Sequence, residues 1–288
     1  MQLDRTRITI RERTTFELFD LALQVVRTFF VPLAGWLLLG AIPFAALNLW
    51  LLGDNVDLQE LTEFKASYTW WTLWLIVLEM PLATAPATLY LGRVLFLEQP
   101  TKSQIIRDTF RSLPQILLLQ GWLLLVFLLI LSTDDAALMT TLLLLIILPF
   151  GFVRAGFRPY LNEIILLERN PLRASKTSQI STRRRSKALH SWSRGELFER
   201  FLASIAVGLL LATQLSLVIW GAKTWLTGSP DLSPFAYMLI TQVALWIVVG
   251  FFTVVRFLCY LDLRIRREGW EVDLRMRAEA TRLSQELF

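Results

Sequence analysis

Glu79 is the residue whose type and place most directly suggest chemistry. It is the one acidic side chain in the middle of a long apolar stretch, and Pro81 and Pro86 follow it closely. A charged side chain inside a bilayer costs roughly 2.5–3.5 kcal/mol on insertion scales, so it faces protein or water. Glu79 could bind a proton or cation in a carrier, or it could pair with a neighbouring helix. We favour the pairing, because no second acidic residue lies at similar depth.

A dense run of basic side chains is the second feature that could bind a ligand. The stretch 154–200 is strongly basic, and four of its residues lie together: Arg183, Arg184, Arg185 and Lys187. Each basic residue near an anionic leaflet contributes on the order of 1 kcal/mol, which predicts contact with lipid headgroups or a partner protein. Nucleic acid is not expected as a partner, because the interleaved aromatics of single-strand readers are missing apart from Trp192.

The remaining residue types exclude several kinds of site. The single cysteine and single histidine, Cys259 and His190, exclude an intramolecular disulfide and a zinc site of three or four such ligands. Neither a GxxxxGK[ST] phosphate loop nor an HExxH sequence occurs, and no paired carboxylates are placed for acid–base catalysis. We therefore predict no enzymatic activity, with no catalytic residue, metal site or cofactor.

Composition indicates where these residues are held. The chain has 288 residues, of which 55% are hydrophobic and only 18% charged, and its mean hydropathy is +0.51. Soluble domains carry nearer 25% charged residues, so an integral membrane protein is predicted. A membrane helix needs roughly 20 apolar residues. Six stretches are long enough, at about 31–52, 68–96, 114–131, 137–153, 201–220 and 235–255.

These stretches predict an all-α, polytopic fold in three parts. Residues 1–30 form an N-terminal segment, residues 31–258 contain six transmembrane helices and the basic loop 154–200, and residues 259–288 form a helical tail. The N-terminal segment has apolar residues at helical spacing: Phe16, Phe19, Leu23, Val26 and Phe30. This spacing predicts an amphipathic helix that lies either in the membrane interface or against protein.

The distribution of basic residues predicts the orientation. All but two of the 29 lysine and arginine residues fall on one side of the six-span topology, and the exceptions are Lys65 and Lys223. The positive-inside rule then places both termini in the cytoplasm. We expect a multi-pass protein of the bacterial cytoplasmic (inner) membrane, with the lipid bilayer and other membrane or cytoplasmic proteins as partners.

A short motif follows the second, fourth and sixth predicted spans. In each copy a Tyr-Leu pair is followed by Glu eight residues after the Tyr. The three copies are Tyr90 and Glu98, Tyr160 and Glu168, and Tyr260 and Glu268. The motif predicts three helical hairpins related by internal repetition. The alternative is a coincidence of similar residues at a shared interface.

The stretches FRPYLNEIILLERN, at 157–170, and YLDLRIRREG, at 260–269, carry a family resemblance. The chain resembles the membrane-domain family of glycerophosphoryl diester phosphodiesterases and related six-span bacterial membrane proteins. In that family the hydrolase is a separate soluble barrel, whereas only about thirty residues follow the sixth span here, against roughly 250 for such a barrel. The resemblance implies a membrane module without the phosphodiesterase domain and supplies no catalytic residue.

Two functions are therefore expected, one more strongly than the other. The favoured one is a non-catalytic membrane module that binds partner proteins or anionic lipid at its basic face. The alternative is a carrier or permease subunit that uses the polar site around Glu79. A membrane-bound lipid enzyme is disfavoured, because clustered acid–base groups are missing from the sequence.

Overall fold

The structure, a computed structural model, describes residues 14–53, 61–96, 99–131, 141–142, 145, 148–172, 180–191 and 194–268. Every regular element in these residues is helical, so the predicted all-α class is confirmed for them. The helices are α1 Thr15–Thr28, α2 Phe30–Gly53, α3 Leu61–Ala83, α4 Ala85–Val94, α5 Lys102–Ile116, α6 Trp122–Leu131, α7 Leu148–Phe157, α8 Thr182–His190, α9 Arg194–Thr227 and α10 Pro234–Glu268. A short helical turn, Leu161–Glu163, and two π-helical segments, π1 Leu117–Gly121 and π2 Ile164–Glu168, complete the order in the described residues.

Within the described residues, four helical stretches are long and apolar enough to cross a membrane: Phe30–Gly53, Lys102–Leu129, Arg194–Thr227 and Pro234–Arg267. A fifth results if α3 and α4 together form one bent span. These stretches contain the predicted spans 31–52, 201–220 and 235–255 and overlap most of 68–96 and 114–131. Of the remaining predicted span, 137–153, the structure describes only 141–142, 145 and 148–153. The six-span count and the repetition of three hairpins therefore stay predictions.

The bend between α3 and α4 measures 45° and follows from the local sequence. Pro81 lies inside α3 and Pro86 in the first turn of α4, and a proline donates no backbone hydrogen bond. Thr84, between the helices, donates its hydroxyl to the Met80 carbonyl at 2.7 Å. Gly40 of α2 packs against the bend so closely that a Cβ there would lie 1.9 Å from the Ala83 oxygen. The absence of a side chain at Gly40 thus allows α2 to approach the bend.

Helix α1 has two apolar rows of side chains, one buried and one exposed. It begins with a capping box, in which Thr14 and Glu17 satisfy each other's backbone N–H groups. Leu18, Ala22 and Val25 are buried in the same core cluster as residues of α10. A second row remains exposed at a spacing of seven residues, at Phe16 and Leu23 of α1 and at Phe30, the first residue of α2. The helix therefore packs on protein with one face and leaves an apolar row exposed.

Helix α10 is the centre of the bundle and contacts α1, α2, α3, α4 and α9. By contrast, the apolar windows of α2 and α9 are almost unburied, which is the surface a bilayer would cover. Helix α4 ends and α5 begins at one end of the bundle, and α9 begins and α10 ends there as well. We call this the basic end, because arginines pair with buried carboxylates there. At the opposite end, α9 stops at Gly228, which has a φ of +66°.

Candidate functional site

Glu79 is completely buried between α2 and α3. Its Oε2 accepts a hydrogen bond of 2.9 Å from Asn48 Nδ2, and neither side chain is exposed. The second oxygen of each group, Glu79 Oε1 and Asn48 Oδ1, has no hydrogen-bond partner among the described residues. This contact joins the neighbouring helices α2 and α3 by a side-chain hydrogen bond. The preference for pairing over a carrier site stays a prediction.

Two copies of the Tyr-Leu motif contact each other at the basic end. Tyr160 and Tyr260 are buried, with ring centroids 6.4 Å apart, and Tyr260 donates its hydroxyl to Glu168 Oε1 at 2.8 Å. Tyr90, of the first copy, is half-buried and packs against the core cluster that includes Ile165. Glu98 lies outside the described residues, as does the side chain of Glu268. Spacing along the chain revealed the motif, but not that one copy's tyrosine binds another copy's glutamate.

Glu168 is the centre of this contact. Arg185 of α8 donates two hydrogen bonds to its carboxylate, at 2.6 and 2.9 Å, and Arg264 Nε lies 3.7 Å from Oε1. Burial alone would raise the pKa of Glu168. The hydrogen bonds from Arg185 and Tyr260 and the positive charges of both arginines outweigh it and lower the pKa. The carboxylate is therefore ionised near neutral pH and ties π2 to α8 and α10.

Further buried ion pairs lie at the basic end. Together with the contacts of Glu168 we call them the charged layer. Arg200 of α9 donates to Asp262 of α10 at 3.0 Å and also pairs with Glu196. Asp262 is only 1% exposed at its side chain and binds Arg266 as well, at 2.6 Å. Sequence analysis missed Asp262 as a site residue. The available signal was an acidic residue two positions after a motif tyrosine.

Two other carboxylates, those of Glu163 and Asp108, also belong to the charged layer. Arg256 of α10 donates to the Pro159 carbonyl at 3.0 Å and pairs with the buried Glu163 at 3.1 Å. Asp108 of α5 binds Arg93 of α4 and Arg169, the latter at 2.7 Å. Charged contacts thus join α4 to α5, α9 to α10, and α10 to the segment that holds Glu163.

The predicted basic quartet of α8 divides between two roles. Arg185 points inward to Glu168, whereas Arg183, Arg184 and Lys187 are exposed. Successive residues of an α-helix are about 100° apart, so adjacent arginines face different directions. Three of the four predicted contact residues are therefore accessible to lipid or partner, and Arg185 is a structural residue.

A groove of about 580 Å³ lies beside α8 on the outside of the bundle. Its apolar wall comes from π1 and α7, with exposed side chains at Leu118, Phe150, Val153 and Phe157. Its basic rim consists of Arg158, Arg183, Lys187 and Arg194. The groove thus joins exposed apolar surface, of the kind that lipid chains cover, to positive charge. Neither Glu79 nor Asn48 lines it.

No family model matches this chain, and no curated protein or solved structure is significantly similar to it. The resemblance to the phosphodiesterase membrane-domain family therefore stays a prediction. Within the described part of the chain, no group of three or more His, Cys, Asp or Glu side chains could hold a metal ion. The groove and the charged layer are the features from which a function can be inferred.

His190 forms part of the groove lining but is turned into the protein. Its Nδ1 lies 2.7 Å from the Ser186 carbonyl, and its Nε2 lies 3.4 Å from the Tyr160 N–H. This arrangement fits a neutral ring that donates from Nδ1 and accepts at Nε2. Burial, aided by the charge of Arg158, lowers the pKa of His190 to about 4 from its usual 6.5.

We expect His190 to make the protein less stable in mild acid. Between about pH 6.5 and about pH 4, His190 is protonated in the unfolded chain but neutral in the folded chain. The free energy of unfolding therefore falls as the pH is lowered through this range. The fall is about 1.4 kcal/mol per pH unit at most. His190→Gln keeps a donor and an acceptor without titrating. Thermal unfolding in detergent at about pH 7.5 and about pH 5 should show a smaller loss for the variant than for the parent. Equal losses would contradict this prediction.

Proposed function

We propose that the chain is a non-catalytic membrane module that binds anionic phospholipid headgroups at its basic end. The groove beside α8 is the observation that carries this proposal. Its wall of Leu118, Phe150 and Val153 matches lipid chains, and its rim of Arg183 and Lys187 matches phosphate. Exposed basic groups above exposed apolar surface are the chemistry that an anionic lipid requires.

The placement of other residues supports the same surface. Phe16 and Leu23 of α1, together with Phe30 at the start of α2, form an exposed apolar edge, which suits a helix at headgroup level. All but two of the lysine and arginine residues fall on one side of the proposed six-span topology. By the positive-inside rule that side is the cytoplasmic one, so we place the groove in the inner leaflet of the bacterial cytoplasmic membrane. The same basic surface could also bind an acidic partner protein.

A carrier that uses Glu79 is the second candidate. It is favoured by one observation, the buried Glu79 oxygen without a described partner. A proton or cation carrier should lose flux when Glu79 is replaced by Gln, whereas a lipid-binding module should keep its lipid. Measurement of both properties on the same variant separates the two functions.

The groove is tested by counting lipids that stay bound to the protein. Native mass spectrometry of protein in mixed micelles should show more retained phosphatidylglycerol than phosphatidylcholine. The double variant Arg183→Gln, Lys187→Gln should weaken the phosphatidylglycerol affinity by roughly thirtyfold, since two basic contacts are worth about 2 kcal/mol.

The matched control removes the same charge elsewhere on the basic end. Arg107 and Arg111 of α5 are exposed and do not line the groove, so Arg107→Gln, Arg111→Gln should leave most of the affinity intact. Equal retention of the two lipids by the parent protein, or an equal loss in the control, would overturn the proposed function.

A further inference from the structure

A second cavity, of about 330 Å³, is open to the surface, as the groove is. Its walls come from α3, α9 and α10 and are mostly apolar, with Leu78, Met80, Phe201, Ile205, Val248 and Phe252 among them. A volume of this size is within the range of small-molecule pockets. The cavity shares Arg158 and Leu161 with the outer groove, but its other lining residues are different.

One end of the cavity is basic. Arg158, Arg200 and Arg256 line it, and Arg256 is eight residues from Val248 along α10. A rise of 1.5 Å per residue puts these two positions about 12 Å apart along the helix axis. The cavity is therefore amphipathic, with guanidinium groups at one end and aliphatic and aromatic side chains towards the middle of the bundle.

The same cavity is lined by three buried hydrogen-bond donors that have no acceptor among the described residues. Arg200 Nε, Arg256 Nε and Gln120 Nε2 are all buried, and none has a hydrogen-bond partner among the residues that the structure describes. Arg200 itself is 6% exposed. Buried polar groups are almost always hydrogen-bonded, so three orphaned donors around one space need an explanation.

The ion pairs of the basic end explain why the two arginine Nε–H groups have no hydrogen-bond partner. Arg200 already binds Asp262 and Glu196 through Nη2, and Arg256 binds Glu163 and Pro159 through its own Nη2. The pairs hold both guanidinium groups rigidly while their Nε–H groups stay unused. Arg158 is exposed and has no ion-pair partner in the described ranges, so it adds positive charge at the mouth.

We propose that this cavity binds a single-chain anionic amphiphile. Its carboxylate or phosphate-monoester head would accept hydrogen bonds from Arg200, Arg256 and Gln120 under the charge of Arg158. Its acyl chain would lie along the apolar wall of α3, α9 and α10. This inference goes beyond phospholipid binding in the outer groove and does not depend on it, because the orphaned donors belong to the cavity alone.

The first test uses a long-chain fluorescent fatty acid, cis-parinaric acid, with the full chain in a non-ionic detergent. We expect saturable binding of one molecule per protein. Val249 lines the cavity, and Val249→Phe should fill it and weaken binding at least tenfold. Val243→Phe makes the same change on the same helix at an exposed position outside the cavity, and should bind as the parent does. Unsaturable binding, or an equal loss in both variants, overturns the proposal.

The second test concerns the headgroup. Arg158→Gln should weaken the acid about tenfold and leave its uncharged methyl ester unaffected, and the parent should prefer the acid to the ester. Inorganic phosphate should not displace the fatty acid, because the apolar wall supplies most of the contact. Displacement of the fatty acid by phosphate would identify a site for the free anion and overturn the proposal. Equal binding of the acid and the ester would indicate an apolar void and would also overturn it.

The third test separates this site from the groove. Cys259 is buried, lines the cavity and is the single cysteine, so bound fatty acid should slow its reaction with a small thiol reagent. Arg183→Gln, Lys187→Gln should bind fatty acid normally while it loses phosphatidylglycerol. Loss of fatty acid in that groove variant would place the amphiphile outside and overturn the cavity proposal. If parent and groove variants retain phosphatidylglycerol equally while the cavity predictions hold, only the proposed function fails.

Discussion

Glu168→Ala is expected to destabilise the basic end of the bundle by about 2–4 kcal/mol. The variant leaves the Tyr260 hydroxyl without its acceptor and leaves Arg185 and Arg264 without the carboxylate that they share. Removal of one partner from a buried pair costs about 3–5 kcal/mol. We expect a smaller effect because both arginines keep some solvent contact, with side-chain exposures of 22% and 16%.

The protein contains its own reporter for this experiment. Cys259 is the single cysteine and is buried beside Tyr260, so a thiol-reactive fluorophore added during heating measures unfolding. Glu199→Ala is the matched control, since Glu199 is exposed and should change the unfolding temperature little. Because the pKa of Glu168 is lowered, its stabilisation is present above about pH 4.5 and is lost as the pH falls below that value. An unfolding temperature of Glu168→Ala equal to that of the control would show that the network contributes nothing.

Arg200→Met is expected to have the largest effect, about 3–5 kcal/mol of destabilisation. The Arg200 side chain is 7% exposed and that of Asp262 is 1% exposed, so neither can turn to water when the other is removed. The variant removes the Arg200 partner of Asp262, although Arg266 still pairs with that carboxylate. It also removes the i,i+4 partner of Glu196 on α9.

A double variant tests whether the loss comes from the buried Asp262 charge that Arg200 no longer balances. In Arg200→Met, Asp262→Leu both charges are gone, and Arg266 retains Glu196 at 2.8 Å. Replacement of a buried pair by apolar residues is often neutral or stabilising, so the double variant should be more stable than Arg200→Met alone. Comparison of the two unfolding temperatures by Cys259 reactivity gives the answer. A double variant less stable than the single one would mean that the two losses add and that the charges act separately.

Much of the fold could be predicted from the sequence because apolar length alone determines which segments can cross a bilayer. The uncharged stretches 31–52, 201–220 and 235–255 lie inside α2, α9 and α10. Their ends were harder to predict. Helix α9 begins at Arg194 and α10 continues to Glu268, because charged side chains beyond the apolar stretch find buried ion-pair partners. A hydropathy profile shows that burying such charged residues is unfavourable, but it does not show which ion-pair partners offset that free energy.

The contacts of the site could be predicted only in part, because they depend on which elements meet in space. Glu79 stood out by its depth, and its partner Asn48 is an uncharged residue on another helix, 31 positions away. Arg185 could not be told from Arg184 until the direction of α8 was known. The helical period gives relative directions around an axis, while packing decides which direction is inward.

The π-helical turn at Leu117–Gly121 allows the length of this chain to change by one residue at one place. A π-turn inserts one residue into an α-helix, and it separates α5 from α6 within one continuous stretch. Its wider winding takes up the extra residue, so the residues beyond it face as they would in an uninterrupted α-helix that is one residue shorter. A single deletion within the turn should therefore leave Phe127 buried and Leu125 exposed. The same deletion within α6 has no wide turn to close and would rotate the residues beyond it by about 100°.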